Sequence, residues 1–302
     1  MDTLQTRITP SEAKPMLAGK LDLTTVTYPL GLTPKFDGIR SFIKGSSALT
    51  RSLKHVPNRY IRNLLSKPEF EGFDGELMGS NILGGQAFIE ATKAIMTHDG
   101  EPDFKFYVFD LVIPGLPWVE RKEILYDLIE ECQEAGATFL EPVRHVICKN
   151  PEELNFWYRE FLKMQYEGAI INKLDAPYKY GRSTTKEGYL LKYKPYEDSE
   201  AEIIGFEELM HNENPAKVNE LGRTARSSSK KNKVGLDSLG TLICRDLYSG
   251  EEVRIGTGIG LTAELRKLIW LNKDFYLGQI IRYYFSPPTK TKPRQAIMQG
   301  CR

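Results

Sequence analysis

The polar, turn-rich heptapeptide "KPYEDSE" (194–200) separates two stretches that cannot share one architecture. Upstream, alternating or apolar strand patterns interleave with long capped helices. "LTPKFDGIRSFI" (32–43) and "KFYVFDLVI" (105–113) read as strands, the second apolar enough to be buried on both faces. "EGAIIN" (167–172) is a short apolar strand. "GYLLKYKP" (188–195) alternates, with Tyr189, Leu191 and Tyr193 on one face and Leu190, Lys192 and Lys194 on the other. "NPEELNFWYREFLKMQ" (150–165) opens with Asn150 as cap, Pro151 at the first position and Glu153 as the reciprocal capping residue. "VERKEILYDLIEECQEAG" (119–136) places Leu125, Leu128, Ile129 and Cys132 on one face and stops at Gly136. Downstream come only short alternating runs, "AEIIGFEEL", "GTLICRD", "EEVRIGTG" and "GQIIRYYF", with one helix, "TAELRKLIWL" (262–271), capped by Thr262. Several short strands around one helix predict a small barrel of the OB type. A chain of 302 residues exceeds what one core usually holds, so two domains are expected, 1–197 and 198–302.

Composition excludes more than it selects. Hydrophobic content of 41% and charged content of 27% describe a soluble globular protein, and a net charge of +1 predicts no partner for the chain as a whole. Cysteines 132, 148, 244 and 301 lack metal-ligand spacing and read as free thiols of a reducing compartment. The start "MDTLQTRITPSEAK" has no apolar signal core, and no run approaches membrane-spanning length. A cytoplasmic, membrane-free monomer is the expectation.

Charge does cluster locally. "LGRTARSSSKKNKVG" (221–235) carries Arg223, Arg226, Lys230, Lys231 and Lys233 without an acid or an aromatic. It reads as a solvated loop or as one that meets a phosphate backbone, and not as a platform for stacking single-stranded bases. Each remaining motif has an ordinary reading. Asp-Gly in "FDGIR" and "FDGEL" suits a hairpin turn, Lys192 and Lys194 suit the wet face of an edge strand, and Glu167 suits a helix end. Lys35, inside a strand beside Asp37–Gly38 and Arg40, is harder to dismiss.

Their order changes the reading. "KFDGIR", "LTRS" (49–52), "FDGELM" (73–78), "FYVFDLV" (106–112), "YEGAIIN" (166–172) and "LLKYKP" (190–195) follow one another along the chain. This set resembles the nucleotidyltransferase motifs shared by DNA ligases, RNA ligases and mRNA-capping enzymes, and among them looks most like the small ATP-dependent DNA ligases of bacteriophages. The resemblance runs from "KPMLA" (14–18) to the C-terminal tail. It implies an α+β fold: an ATP-grasp-like nucleotidyltransferase (adenylation) domain of antiparallel sheets and helices, followed by a small β-barrel OB-fold domain. The two would close about a hinge near 195–200, first on ATP and then on DNA.

The resemblance also assigns roles. Lys35 would attack the α-phosphorus of ATP and become a lysyl–AMP. Such an amine must be neutral when it attacks, and an unperturbed lysine titrates near ~10.4, so neighbouring cations that disfavour its charge matter. Lys192 and Lys194 would hold the α-phosphate. Arg40 and Arg51 match arginines on ribose, phosphate or the nick's 5′-phosphate, and Arg182 in "YKYGRS" a basic residue on the triphosphate side. Glu76 matches a carboxylate used for ribose or metal, and Glu167 one used for a divalent cation, with Mg²⁺ expected. Phe109 would stack on adenine, with Tyr107 on the same strand face, and Ile170 would form the opposite wall. Thr33 stands where many relatives carry an acid that reads the adenine amino group, and Asn172 where many carry a lysine, with Lys173 on the opposite strand face. Arg294 in "TKPRQAIMQGCR" (291–302) is the best match to a basic C-terminal motif, with Lys290 and Lys292 as helpers.

The implied function is ATP-dependent sealing of 5′-phosphate/3′-hydroxyl nicks in duplex DNA. The alternatives are a GTP-using capping guanylyltransferase with the same lysine and carboxylates, an RNA ligase, and a non-catalytic nucleic-acid-binding module. An NAD-dependent ligase fits less well, for want of an N-terminal nicotinamide-recognition domain and a cysteine cluster.

Overall fold

The computed structural model describes residues 9–79, 84, 86–258, 260–286 and 294–301. The chain falls into two compact units, Met1–Lys194 and Pro195–Arg302, so the division precedes the expected boundary at 197.

The first unit contains two five-stranded sheets. One is ordered β2 (Gly19–Lys20), β12 (Leu190–Tyr193), β10 (Gly168–Lys173), β3 (Leu30–Lys35) and β9 (Val146–Cys148). The other is ordered β5 (Ser47–Thr50), β4 (Ile39–Lys44), β6 (Phe73–Met78), β7 (Lys105–Leu111) and β8 (Leu140–Pro142). A short parallel pair, β1 (Met16–Leu17) and β11 (Gly181–Arg182), stands apart. β3 runs into β4 through Phe36-Asp37-Gly38, so this Asp-Gly links two sheets instead of turning a hairpin. A Cβ at Gly38 would lie 2.4 Å from the Leu77 carbonyl oxygen, which explains the glycine. The second Asp-Gly lies within β6, where a Cβ on Gly75 would meet the Tyr107 carbonyl oxygen at 2.4 Å.

Each sheet buries one face. Leu30 and Leu32, Ala169 and Ile171, and Leu191 pack on Leu154 and Phe161 of α4 (Pro151–Lys163). Asn150 caps α4 by accepting from the Glu153 amide at 2.8 Å, and Glu153 answers by accepting from the Lys149 amide. Behind the other sheet, Ile43, Phe73, Leu77, Phe106 and Val108 pack on α1 (Arg59–Leu65), α2 (Ala87–Met96) and α3 (Trp118–Glu134). β7 corrects the expectation of a strand buried on both faces. Phe106 and Val108 are buried, but Tyr107 and Phe109 alternate with them and are only partly covered. Tyr189 also departs from its expected face. It lies outside β12 and packs with Leu190 near Phe42 and Tyr178.

The second unit is a six-stranded sheet ordered β17 (Glu252–Ile255), β16 (Lys233–Asp246), β13 (Glu197–Asn212), β19 (Ile280–Ser286), β20 (Arg294–Cys301) and β18 (Thr257–Gly258). β17 and β18 form its two edges yet are separated only by Gly256, so the sheet returns on itself. Ile203, Leu242, Cys244, Val253, Ile255, Ile281 and Tyr283 belong to its core. Ile269 of α5 (Ala263–Leu271) joins that core, and Arg266 donates from the same helix to the carbonyls of Leu239, Gly240 and Gly256. A short helix, α6 (Lys273–Tyr276), follows.

β13 and β16 continue as an arm, paired as far as Asn212 and Lys233 beyond bulges at Glu207–Met210. At its end β14 (Ala216–Val218) pairs with β15 (Thr224–Arg226). The basic stretch 221–235 is therefore only partly the expected loop: Thr224–Arg226 and 233–235 lie in strands, while Lys230 and Lys231 fall in the turn between them. Backbone ladders and the buried Asn214, which donates to the Ser227 and Ser229 carbonyls, order it.

Candidate active site

The period of two that buries one face of each sheet directs the other face inward to a common site within the first unit. Thr33, Lys35, Ile170 and Lys192 share the face of the first sheet that points away from α4, and Lys194 follows β12 in the same alternation. Arg40, Asp74, Glu76, Tyr107 and Phe109 share the corresponding face of the second. Ladder register aligns them. Thr33 and Lys192 both pair with Ile170, Lys35 pairs with Gly168, and Arg40 pairs with Glu76.

Glu167 is the hub. Its carboxylate accepts from Lys35 through one oxygen and from Lys194 through the other. The Glu167 amide donates to the Lys35 carbonyl at 3.0 Å, which fixes the two backbones together. Burial pushes the Glu167 carboxyl up, but Lys35 and Lys194 outweigh it and hold the group below the usual carboxylate value. Lys35 also donates to the Phe36 carbonyl at 3.3 Å. Lys192 makes no ion pair among the described residues. Burial, then the charges of Lys194, Arg182 and Lys35, pull its ammonium below the ordinary lysine value.

Glu76 is the counterpart on the second sheet. It is partly covered and takes no hydrogen bond or ion pair among the described residues. Desolvation pushes its carboxyl up to about 7, against the pull of Lys35 and Arg40. Arg40 is held tightly. It donates to Asp74 through Nε at 2.6 Å and again through a terminal nitrogen, which also reaches the Met16 carbonyl at 2.9 Å. Tyr178 donates to the same Asp74 and accepts from the Met16 amide at 3.1 Å. Burial disfavours the Arg40 charge, but Asp74 more than restores it, so the guanidinium stays protonated.

Aromatic groups supply an apolar cluster beside these charges. Phe109 lies over the Arg40 guanidinium at 4.7 Å. Tyr107 stacks on Phe36 at 4.5 Å, and Tyr166 meets Phe36 edge-on at 5.2 Å. Met78, Ala87 and Val143 complete this cluster. Thr33 is buried, and its hydroxyl donates to the Ile170 carbonyl at 3.5 Å. Asn172 is also buried and donates to the same carbonyl at 3.4 Å, while Lys173 turns away towards Asp175.

Arg51 and Arg182 stand at the exposed rim. Desolvation and the charges of Arg182 and Arg40 lower Arg51 from the ordinary arginine value, so these cations lie close together. Arg182 is tied to the Ala18 carbonyl at 2.7 Å. The remaining candidates belong to the second unit. Arg223, Lys230 and Lys231 are exposed on the arm, Lys233 opens β16, and Arg226 donates to the Asn214 carbonyl. The backbone of Arg294 opens β20, whereas its side chain, with Lys290 and Lys292, lies outside the described residues.

Residue types alone do not reveal Asp74, Tyr166, Tyr178 or Lys122. For Lys122 a signal exists. Trp118, Arg121, Lys122, Leu125, Leu128, Ile129 and Cys132 are the buried residues of α3, so two cations lie on the apolar stripe.

Lys35, Lys192, Lys194, Arg40, Arg51 and Arg182 outnumber Asp74, Glu76 and Glu167, so the site favours a polyanion with an aromatic part. Glu76 and Glu167 also fit a hard divalent cation that keeps most of its waters, although no group of three or more acidic, histidine or cysteine ligands gathers among the described residues.

Comparison with known proteins places the chain in a family. The family described as "ATP dependent DNA ligase domain" matches residues 15–194. The crystal structure of Chlorella virus DNA ligase-adenylate is 30% identical, covers 98% of this chain and 100% of that chain, and superposes with a TM-score of 0.55. A Lig E DNA ligase structure, 20% identical over 96% of this chain and 99% of that chain at a TM-score of 0.71, shares the fold. The DNA ligase of Haemophilus influenzae is 27% identical over 175 residues, 57% of this chain and 60% of that protein. A DNA ligase of African swine fever virus is 29% identical over 107 residues, 34% of this chain, and the chain spans 25% of that relative's length. Since the family match takes in more than half of the chain, from the segment before Lys35 to Lys194, the chain belongs to the ATP-dependent DNA ligase family.

Proposed function

We propose that the protein seals 5′-phosphate/3′-hydroxyl nicks in duplex DNA, using ATP and Mg²⁺ through a covalent lysyl–AMP. The observation that carries this reading is the Lys35–Glu167–Lys194 cluster facing Glu76. Lys35 first parts from Glu167 and loses a proton to solvent. Its Nζ then attacks the α-phosphorus of ATP, a P–N bond forms, the bond to the β-phosphate oxygen breaks, and pyrophosphate leaves. Lys192 and Lys194 neutralise the charge that spreads over the α-phosphate oxygens. Phe109 and Ile170 would flank the adenine, with Thr33 at its edge. Arg40, already held by Asp74, would face ribose and phosphate without further ordering cost. Arg51 and Arg182 would meet the outer phosphates and later the 5′-phosphate of the nick. Glu76 and Glu167 are the carboxylates fit to hold Mg²⁺, which when bound neutralises phosphate oxygens. AMP then passes to the 5′-phosphate, and the 3′-hydroxyl displaces it.

The first unit serves as the adenylation domain in this reading. The second serves as an OB-fold, supported by a sheet that returns on itself and a helix between β18 and β19. Its arm would bind the phosphate backbone of the duplex. The protein would act as an intracellular monomer. Among the described residues no helix is long and apolar enough to cross a membrane. Incubating a nicked, end-labelled duplex with protein, ATP and Mg²⁺ tests the proposal. Sealing should appear with ATP and vanish in Lys35→Ala. Sealing by that variant under the same conditions would refute the assignment.

A further inference from the structure

A buried lysine remains that the proposed chemistry does not use. Lys122, on α3, has no exposed surface. Its ammonium donates to the Val143 carbonyl at 2.7 Å and to the Phe109 carbonyl at 3.3 Å, and lies 4.8 Å from the centre of the Tyr126 ring. Tyr126 supports the same point, donating to the Val143 carbonyl at 3.4 Å and sharing a 2.8 Å hydrogen bond with His145. The carboxylate nearby does not pair with Lys122. Asp110 is taken by Arg121 at 2.8 and 3.0 Å and by the Leu111 amide. A core with no use for the ammonium would hold methionine or leucine here, because burying an unpaired charge is costly. Two directed bonds to backbone carbonyls are what lysine adds.

Those carbonyls belong to residues that matter to the pocket. Phe109 and Val143 pack in one apolar cluster with Phe36, Met78, Tyr107 and Tyr166. Phe109 stands on β7, and Val143 follows β8, the edge strand parallel to β7. The Val143 amide donates to the Val108 carbonyl at 2.9 Å, so Lys122 supplies a second tie between the same two segments.

We propose that Lys122 is a positioning residue for the nucleotide site: by tying the Phe109 backbone to that of Val143 it fixes the place of Phe109, the aromatic wall that receives the purine base. The inference rests on the lysyl–AMP reading, and acts on affinity for the base, not on the transfer step. Burial pulls the ammonium down to about 7, with Asp110 opposing and Arg121 adding to the fall, yet even the neutral amine retains two N–H groups for the two carbonyls.

The test measures transfer of radiolabel from α-labelled ATP to Lys35 over a range of ATP concentrations. Lys122→Met should raise the half-saturating ATP concentration about tenfold, equivalent to about 1.4 kcal/mol, and leave the rate at saturating ATP within about twofold. Lys122→Gln, which keeps an NH₂ donor, should recover part of the loss. An unchanged half-saturation point, or a loss of rate that saturating ATP does not repair, overturns the proposal. Should Lys122→Met not fold, lysine-¹⁵N resonances of the wild-type protein decide. The buried ammonium signal should shift when ATP is added, and an unmoved signal counts against the assignment. Failure of the wild type to label at all would refute the lysyl–AMP reading instead.

Discussion

Two sets of cations in this chain differ in every respect except residue type. In the first unit Lys35, Lys192, Lys194 and Arg40 are half-buried or buried, stand on strand faces, and converge on Glu167, Glu76 and Asp74. On the arm of the second unit, Arg223, Lys230 and Lys231 are exposed and take no acidic partner among the described residues. Desolvated cations around three carboxylates act at short range and depend on geometry. Solvated cations on a hairpin attract any phosphate backbone and are screened by salt. Substitutions should therefore separate a chemical function in one unit from a binding function in the other.

The largest effect is expected at the hub of the first unit. Glu167→Gln removes the charge that orients Lys35 and Lys194 and one of the two carboxylates proposed to hold Mg²⁺. Labelling by ATP should fall by on the order of 10²–10³-fold, while the affinity of the protein for duplex DNA stays within about twofold. Equal losses in both would erase the contrast. Lys192→Met should cost labelling somewhat less, about 10²-fold, because Lys194 remains beside the phosphate.

The arm should give the converse pattern. Changing Arg223, Lys230 and Lys231 together to serine should weaken duplex binding and flatten its dependence on log salt by up to about 3. Lysine labelling should be spared. A parallel drop in labelling would mean that the arm takes part in the ATP step.

The smallest effect concerns stability. Glu76 binds its proton up to about pH 7 in the fold, against an ordinary value of 4.5. The native state therefore holds more protons between those limits, and stability is lost as pH rises from about 4.5 through about 7. Glu76→Gln cannot ionise. In the absence of nucleotide and metal it should flatten that decline and be more stable than wild type at pH 8 by about 1 kcal/mol, after allowing for solvent screening. Thermal unfolding at pH 5 and pH 8 measures this. A variant equally destabilised at both would show that Glu76 is not desolvated by the site.

What is legible in the sequence follows the same division. Strand alternation is a local property, so spacing alone puts Lys192 and Lys194 on one face, and Asn150 and Thr262 stand out as helix caps by residue type and position. β7 departs from its expected burial because "KFYVFDLVI" is apolar at nearly every position. Composition does not say which of two aromatic faces a sheet leaves open for a ligand. The arm departs from the expected loop only at 224–226 and 233–235, where backbone ladders form, while 227–232 keeps the loop texture of its serines and lysines and is held by Asn214. The Asp74–Tyr178 bond joins residues far apart in the chain, and nothing in either segment announces it. Lys122 is hidden in "VERKEIL", which reads as a charged helix surface although the helical period puts it on the buried stripe.

The chemistry proposed for the first unit requires a covalent bond between Lys35 and a nucleotide. Incubation with ATP and Mg²⁺, followed by proteolysis and mass spectrometry, tests it most directly. One AMP adduct is expected, on the peptide containing Lys35, stable to base and labile to acid as a phosphoramidate is, and released by pyrophosphate. An adduct on another residue, or none while nicks are still sealed, would contradict it.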